Sequence, residues 1–195
     1  MPSAPQAIES ADRWVDRYGD QLYRYALVRT RDPHLAEDLV QEALLAALKS
    51  RGDFEGRSSV KTWLVAILKN KIMDHLRRVY REQPLLASET DADPIDALFN
   101  ERGHWKNSPG DWRQDPAAVL EQKQFMQILH ACLAQMPERL AHAFMLREMD
   151  GLSPREICKV MNISPSNSWV ILYRARMRLR ECIGRQWPGA DRRKA

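Results

Sequence analysis

Apolar side chains recur at spacings of three and four residues along most of this chain, which predicts amphipathic α-helices. Three helices are expected in the first half, over about 12–29, 33–50 and 59–81. Two more follow a long polar stretch, the fourth ending at Met136-Pro137 and the fifth at Gly151. Because the alternation typical of β-strands is absent, we predict an all-α fold. The expected buried positions are Trp14, Val15, Tyr18, Leu22, Tyr25 and Ala26 in the first helix, Leu35, Leu39, Ala43 and Leu48 or their neighbours in the second, and Trp63, Leu64, Ile67 and Leu68 in the third.

Two closely spaced helix starts follow the fifth helix. Ser153 precedes a proline and lies three residues before Glu156, which is the spacing of a capping box. Asn162 tolerates the left-handed conformation that ends a short helix, and Ser164 with Pro165 repeats the start signal. A short helix, a tight turn and a longer helix result, which is the form of a helix-turn-helix. A plain helical hairpin with a solvated basic face has the same pattern and stays open as an alternative.

Residues 84–122 have a different character from the helices on either side. They include four prolines and 8 Asp and Glu against 3 Lys and Arg, without apolar periodicity, so we interpret most of them as a flexible acidic linker. Three aromatic residues in it, Phe99, Trp105 and Trp112, are expected to dock either on this chain's own domains or on a partner. The predicted organisation is a disordered N-terminus over 1–11, a first helical domain over 12–83, the linker over 84–115, a second helical domain over 116–187 and a basic tail over 188–195.

The composition is that of a soluble globular protein, with 44% hydrophobic and 29% charged residues. No apolar run reaches about 18 residues, so no membrane span is expected, and the first residues lack the pattern of a secretory signal. Three cysteines, Cys132, Cys158 and Cys182, are too few and too scattered for a disulfide scaffold and fit a reducing cytoplasm. We therefore expect a cytoplasmic protein.

Positive charge is concentrated on two of the predicted helical segments. Residues 152–195 contain 10 Lys and Arg against 3 Asp and Glu, and residues 57–81 contain 7 against 1, whereas the whole chain has a formal net charge of only +4. Clustered positive charge is typical of phosphate binding. Because the two basic segments lie on either side of the linker, the sequence predicts two separate contacts with one nucleic acid.

The second helix has the opposite charge, in the run AEDLVQE. Asp38 and Glu42 lie four residues apart and share a helix face. We interpret this as a solvated or protein-docking face; a metal or acid–base site has little support because only His34 lies nearby. The chain has no zinc-ligand spacing, no nucleophile–base arrangement and no phosphate-cradling glycine loop. Neither a catalytic site nor a metal nor a cofactor is predicted.

These motifs resemble those of a known family, the small two-domain extracytoplasmic function (ECF) members of the bacterial sigma-70 family. AEDLVQEALLAAL resembles the helix of region two that docks on the β′ clamp helices of RNA polymerase. FEGRSSVKTWLVAILKNKIMDHLRR resembles the following loop and helix, which handle the −10 promoter element. The segment 133–182 resembles region four, which recognises the −35 element. In all, the resemblance covers roughly residues 12–83 and 117–185.

The resemblance implies a transcription initiation factor, not an enzyme, that binds core RNA polymerase through its β′ clamp helices and β flap, recognises two promoter elements and assists melting. An anti-sigma factor is a further implied partner. The implied polymerase contacts are Asp38, Leu39, Val40, Gln41 and Glu42. The implied −10 DNA contacts are Phe54, Lys61, Trp63, Lys69, Asn70, Lys71, Arg77 and Arg78. The implied −35 DNA contacts are Arg155, Ser166, Asn167, Val170 and Arg174, while Leu172, Ala175 and Leu179 are expected to point to the core.

The second helix of the helix-turn-helix departs from the family pattern. Many members have a Lys-Ser-Arg-Leu run where this chain has Trp169, Val170, Ile171 and Leu172. We expect recognition through apolar contacts, such as thymine methyl groups against Val170, or through DNA shape, and we expect Trp169 to pack at the edge of the core. Two other interpretations stay open: a one-component helix-turn-helix regulator that does not engage polymerase, and a metal or redox sensor that uses the three cysteines.

Overall fold

The computed structural model describes the backbone of residues 13–83 and 118–186, with side chains from residue 124 onward in the second range. Within these ranges the chain forms seven α-helices and no strand, so the predicted all-α fold is confirmed. It divides into two compact units between Glu82 and Gln83. The predicted N-terminal segment, the linker with its aromatic residues and the basic tail lie outside the described residues.

The first unit is a bundle of three helices: α1, Trp14–Thr30; α2, Pro33–Lys49; and α3, Val60–Glu82. The predicted start of α2 is confirmed. Asp32 caps it by accepting the backbone N–H groups of His34 and Leu35 at 2.9 and 3.2 Å, and Pro33 occupies the first helical position.

The core of the first unit comes from one face of each helix. It consists of Trp14, Leu22 and Ala26 of α1, Ala36, Leu39, Val40, Ala43 and Ala47 of α2, and Leu64, Leu68, Ile72, Leu76 and Tyr80 of α3. The expected burial of Val15 is wrong, because its side chain is mostly exposed. In α2 the neighbouring Ala47 takes the inward position instead of Leu48, because the small alanines of this helix allow close approach to its neighbours.

The second unit contains α4, Ala118–Gln135; α5, Glu138–Phe144, which continues as a π-helical turn over Met145–Met149; α6, Pro154–Met161; and α7, Pro165–Gln186. The predicted break at Met136-Pro137 is confirmed. Gly151 has a φ of 71°, a left-handed conformation that favours glycine, and it follows the end of the π-helical turn. The core of this unit includes Leu133, Leu140, Met145, Leu146, Ile157, Val160, Met161, Ile171, Leu172, Ala175, Leu179 and Ile183.

A disulfide joins Cys132 of α4 to Cys182 of α7, with the two Cα atoms 5.8 Å apart. The expectation that three scattered cysteines form no disulfide scaffold does not anticipate this single bond, because helix packing brings together positions that are 50 residues apart in sequence. Cys158 of α6 is free. The described ranges contain no group of three or more His, Cys, Asp and Glu residues placed to hold a metal ion. None of the helices in these ranges combines the length and apolar character that a membrane crossing requires.

Candidate functional site

The outward face of α2 combines acidic, amide and apolar side chains. Asp38, Gln41 and Glu42 are exposed there, and Leu45 and Leu48 are 60% and 51% exposed. At about 100° per residue, these five positions fall on one side of the helix. Exposed leucines beside acidic groups on one helix face are typical of a protein-docking surface. We call these five residues the α2 docking face.

Leu39 and Val40 lie on the other side of α2. Their relative exposures are 4% and 8%, so both side chains pack in the core of the first unit. Their assignment as polymerase contacts is therefore wrong, since a side chain in the core cannot reach a partner. Sequence reasoning did not single out Leu45, which is exposed on the α2 docking face. Its position seven residues after Asp38, two helical turns along the same face, is the sequence signal for its place on that face.

Aromatic contacts hold the loop between α2 and α3 against the bundle. The ring centroids of Phe54 and Trp63 are 4.9 Å apart with planes tilted by 47°. Trp63 also meets Trp14 edge to face, with centroids 5.9 Å apart. The structure thus brings together Phe54 and Trp63, two of the implied −10 DNA contacts, as a half-buried pair at the base of the loop.

Helix α3 presents part of its basic surface to solvent. It begins where the Ser59 hydroxyl accepts the backbone N–H of Thr62 at 3.1 Å, close to the predicted start. Lys61 is exposed in the first turn. Further along, Asn70 and Arg78 are exposed on the side away from the core positions. Three of the implied −10 contacts are therefore directly accessible.

Other implied −10 contacts on α3 are half-buried, and two of them have acidic partners. Nζ of Lys71 lies 3.2 Å from the Glu42 carboxylate. The Arg77 guanidinium lies 2.5 Å from the Asp74 carboxylate, three residues earlier on the same helix. Lys69 is half-buried as well. Part of the positive charge of α3 is thus compensated within the unit.

The predicted helix-turn-helix is present as α6, a short turn and α7. The Ser153 hydroxyl accepts the backbone N–H of Glu156 at 3.3 Å, and the Ser153 backbone N–H donates to the Glu156 carboxylate at 2.7 Å, so the capping box is confirmed. Asn162 ends α6 in the left-handed conformation, with a φ of 52°. The Ser164 hydroxyl accepts the backbone N–H of Asn167 at 3.2 Å and begins α7.

Inward and outward residues of α7 separate as helical spacing requires. Leu172, Ala175 and Leu179 are buried, as expected. The implied −35 contacts remain on the accessible side: Ser166 and, on α6, Arg155 are exposed, while Asn167, Val170 and Arg174 are half-buried.

Trp169 does not pack at the edge of the core. Its side chain is 69% exposed, and its ring lies nearly parallel to that of Tyr173, with centroids 5.6 Å apart and an interplanar angle of 6°. The expectation of core packing is wrong because Ser168 and Leu172 take the inward positions. A helix that turns about 100° per residue then directs Trp169 to the side.

An apolar groove of about 640 Å³ lies between α4, the π-helical turn and α7 in the second unit. Its apolar lining consists mainly of Phe125, Met126, Leu129, Phe144, Leu179 and Ile183. At its edge, the Arg176 guanidinium donates to the Glu148 carboxylate at 2.7 Å. The disulfide joins α4 and α7, two of the helices that line the groove.

Comparison with known proteins identifies two regions of one family along this chain, region 2 followed by region 4. The profile described as Sigma-70 region 2 matches residues 14–82, and the profile described as Sigma-70, region 4 matches residues 126–179. A probable RNA polymerase sigma factor of Haemophilus influenzae is 39% identical over 179 residues, which span 90% of this chain and 91% of that protein. The ECF RNA polymerase sigma factor SigM of Bacillus subtilis is 30% identical over 174 residues, which span 89% of this chain and 95% of that protein.

A solved structure of the sigma factor RpoE in complex with the anti-sigma factor NepR, from Bartonella quintana, is similar over 88% of this chain and 95% of that chain. The identity is 22% and the TM-score 0.41. The two matched regions together define a factor for promoter-specific transcription initiation. The chain belongs to the sigma-70 family of RNA polymerase sigma factors, in its extracytoplasmic function group.

Proposed function

We propose that the α2 docking face binds core RNA polymerase at the β′ clamp helices. Asp38 and Glu42 give this face two exposed carboxylates, while Leu45 and Leu48 add apolar area that water would otherwise cover. Burial of such apolar side chains in an interface contributes binding free energy, and the charges around them orient the partner. The coexistence of both on one helix face is the observation that carries the proposal.

Helix α3 and the loop before it bind the −10 element and assist melting in this proposal. A base that leaves the stack needs an apolar or aromatic surface next to cationic groups. The Phe54–Trp63 pair supports this role, because it provides an aromatic surface at the base of the loop, 4.9 Å between centroids. Asn70 and Arg78 are exposed on the same helix. Lys61, Lys69, Lys71 and Arg77 complete the proposed −10 set.

Helix α7 enters the major groove of the −35 element in this proposal. Its first turn carries Ser166, which is exposed, and Asn167, and the first turns of such a helix contact base edges in helix-turn-helix proteins. Val170 and Arg174 follow on the same side, and Arg155 of α6 contacts a phosphate. The positive charge of the second unit attracts the DNA backbone.

Three further partners or properties follow from this assignment. The apolar groove of the second unit binds the β flap of polymerase, because an apolar groove favours an apolar partner element. An anti-sigma factor binds the chain when initiation is to be prevented. The protein acts in the cytoplasm, where polymerase and promoter DNA are found, and it performs no enzymatic reaction of its own.

Run-off transcription with purified core polymerase on genomic fragments tests the proposal. The expected result is a set of transcripts that require both the chain and core polymerase, with two shared sequence elements upstream of their starts. A chain that binds these fragments alone, neither binding core polymerase nor changing its products, would be a one-component regulator. That outcome contradicts the proposal.

A further inference from the structure

The second helix of the helix-turn-helix carries an aromatic pair, the exposed Trp169 and the half-buried Tyr173, that the proposed function does not use. The rings of Trp169 and Tyr173 are nearly parallel, with centroids 5.6 Å apart. This separation between parallel rings corresponds to an offset stack, which favours one orientation of each ring. The pair therefore presents an ordered apolar surface to solvent, and little side-chain entropy is lost when a partner binds it.

The pair lies near the start of α7, the part of a recognition helix that reaches base edges. The helix begins at Pro165, so that Trp169 and Tyr173 are its fifth and ninth residues. Ser166 and Val170, two of the proposed −35 contacts, lie three residues before each of the two aromatic residues. Residues three apart on a helix are neighbours on its surface, so the aromatic pair adjoins the proposed DNA-contacting positions.

The electrostatic surroundings favour DNA over a protein as the partner of this pair. Residues 152–186 contain 7 Lys and Arg against 2 Asp and Glu, a balance that attracts phosphates. Within a major groove, thymine is the one base that presents a methyl group. An exposed indole on a basic recognition helix can therefore make an apolar contact with the methyl group of thymine.

We propose that Trp169 contacts the 5-methyl group of a thymine in the −35 element and so contributes to promoter choice. This inference rests on the proposed binding of α7 in the major groove. Tyr173 is a positioning residue, because its ring stacks on the indole and fixes the face that meets the methyl group. Removing the methyl group from the DNA and removing the indole from the protein then disrupt the same contact.

Thymine and deoxyuridine differ only in this methyl group, so a base replacement isolates the contact. Once run-off transcription has defined the −35 element, each of its thymines is replaced by deoxyuridine, and the affinity of the chain bound to core polymerase is measured. We expect one replacement to lower the affinity of the unchanged chain about fourfold, the effect of one buried apolar carbon. Deoxyuridine outside the −35 element serves as the DNA control.

The protein variants test whether Trp169 makes this contact. Trp169→Ala should bind the thymine-containing DNA more weakly than the unchanged chain does. Its affinity should not fall further at the position where deoxyuridine weakens binding of the unchanged chain. Tyr173→Ala should reduce the difference between thymine and deoxyuridine, and Tyr173→Phe, which keeps the ring, should restore it. Because Trp169 is mostly exposed, its variant is expected to keep the fold, which the thermal unfolding midpoint checks.

Three outcomes overturn the inference. They are an unchanged affinity at every deoxyuridine, an equal methyl effect in Trp169→Ala and the unchanged chain, and a Trp169→Ala variant that loses only a protein partner.

Arg174→Ala, matched with the exposed Arg24→Ala of α1, tests the −35 role of α7 by itself. If Arg174→Ala weakens −35-dependent binding but no deoxyuridine replacement changes the affinity of the unchanged chain, only this inference fails. If neither Arg174→Ala nor Trp169→Ala changes that binding, the proposed role of α7 fails as well.

Discussion

Nζ of Lys71 lies 3.2 Å from the Glu42 carboxylate, so an ion pair joins a helix with proposed DNA contacts to a helix with proposed polymerase contacts. Both side chains are partly exposed, and water and salt therefore weaken their attraction. The pair nevertheless links the two surfaces. A polymerase group that binds the Glu42 carboxylate would release the Lys71 ammonium group for DNA.

The Glu42–Lys71 pair should contribute little to the stability of the first unit. We expect the single variants Glu42→Gln and Lys71→Met, combined in a double-mutant cycle, to give a coupling free energy below about 1 kcal/mol that falls as salt rises. Urea unfolding of the full chain measures it. The control cycle combines Glu42→Gln with Lys61→Met, at a lysine in the first turn of α3. It should give no coupling free energy. A coupling well above 1 kcal/mol that salt does not change would contradict this.

Replacing both exposed leucines of the α2 docking face should weaken polymerase binding without unfolding the bundle. Leu45→Ala with Leu48→Ala removes apolar area worth about 1 kcal/mol at each position, so we expect roughly a 30-fold loss of affinity for core polymerase. The free energy of unfolding should change by less than about 0.5 kcal/mol, because both side chains are exposed. Val15→Ala, an equally exposed apolar position on α1, is the matched control and should bind normally. Unchanged affinity of the double variant would remove the docking face from the polymerase interface.

Asn70→Ala should weaken promoter opening and leave polymerase binding intact. Asn70 is exposed on α3 away from the core, so its amide is accessible to an unstacked base or to a phosphate, and one such hydrogen bond is worth about 1 kcal/mol. Permanganate reactivity of unpaired thymines measures opening, and a separate binding assay measures assembly with core polymerase. Gln21→Ala, an exposed amide of α1, is the control. An equal loss in both assays would show that Asn70 acts on assembly and not on opening.

Local sequence signals predicted the helix starts because each depends on a few adjacent residues. Asp32 before a proline, and Ser153 three residues before Glu156, form the predicted hydrogen bonds. The same local reasoning located the left-handed residue Asn162. These predictions needed no knowledge of what packs against the helix.

Side-chain direction was less predictable, because it depends on how neighbouring helices rotate to bury their faces. Leu39 is buried as predicted, whereas Leu48 is outward because the neighbouring Ala47 takes the inward position. Trp169 is outward because Ser168 occupies the inward position that an apolar residue would be expected to take. The pairing of cysteines on α4 and α7 likewise depends on tertiary packing, which spacing alone does not contain.

The capping box of α6 should stabilise the second unit measurably. Ser153→Ala removes the hydroxyl that accepts the Glu156 N–H at 3.3 Å, and loss of such a cap costs about 1 kcal/mol. We expect the unfolding midpoint of this unit to fall by about 4–8 °C, as measured by calorimetry. Ser153→Asp, which keeps an acceptor, should retain most of the stability. Ser58→Ala, an exposed serine outside the helices, is the control, and a similar loss of stability there would show that the effect is not specific to the cap.

The Cys132–Cys182 disulfide should make the stability of the second unit depend on the redox state of its surroundings. The bond closes a loop across a sequence separation of 50 residues, and constraining an unfolded loop of that length corresponds to about 4 kcal/mol in the chain-entropy description. Adding dithiothreitol to the oxidised full chain should therefore lower the urea midpoint of the second unit and leave that of the first unit unchanged. Cys158→Ser should respond as the unchanged chain does, because Cys158 is free, whereas Cys132→Ser with Cys182→Ser should not respond. Thiol trapping in growing cells then distinguishes the two states, since a reducing cytoplasm keeps most cysteines as thiols. A midpoint that dithiothreitol does not change, or a response that persists in the double variant, would contradict the prediction.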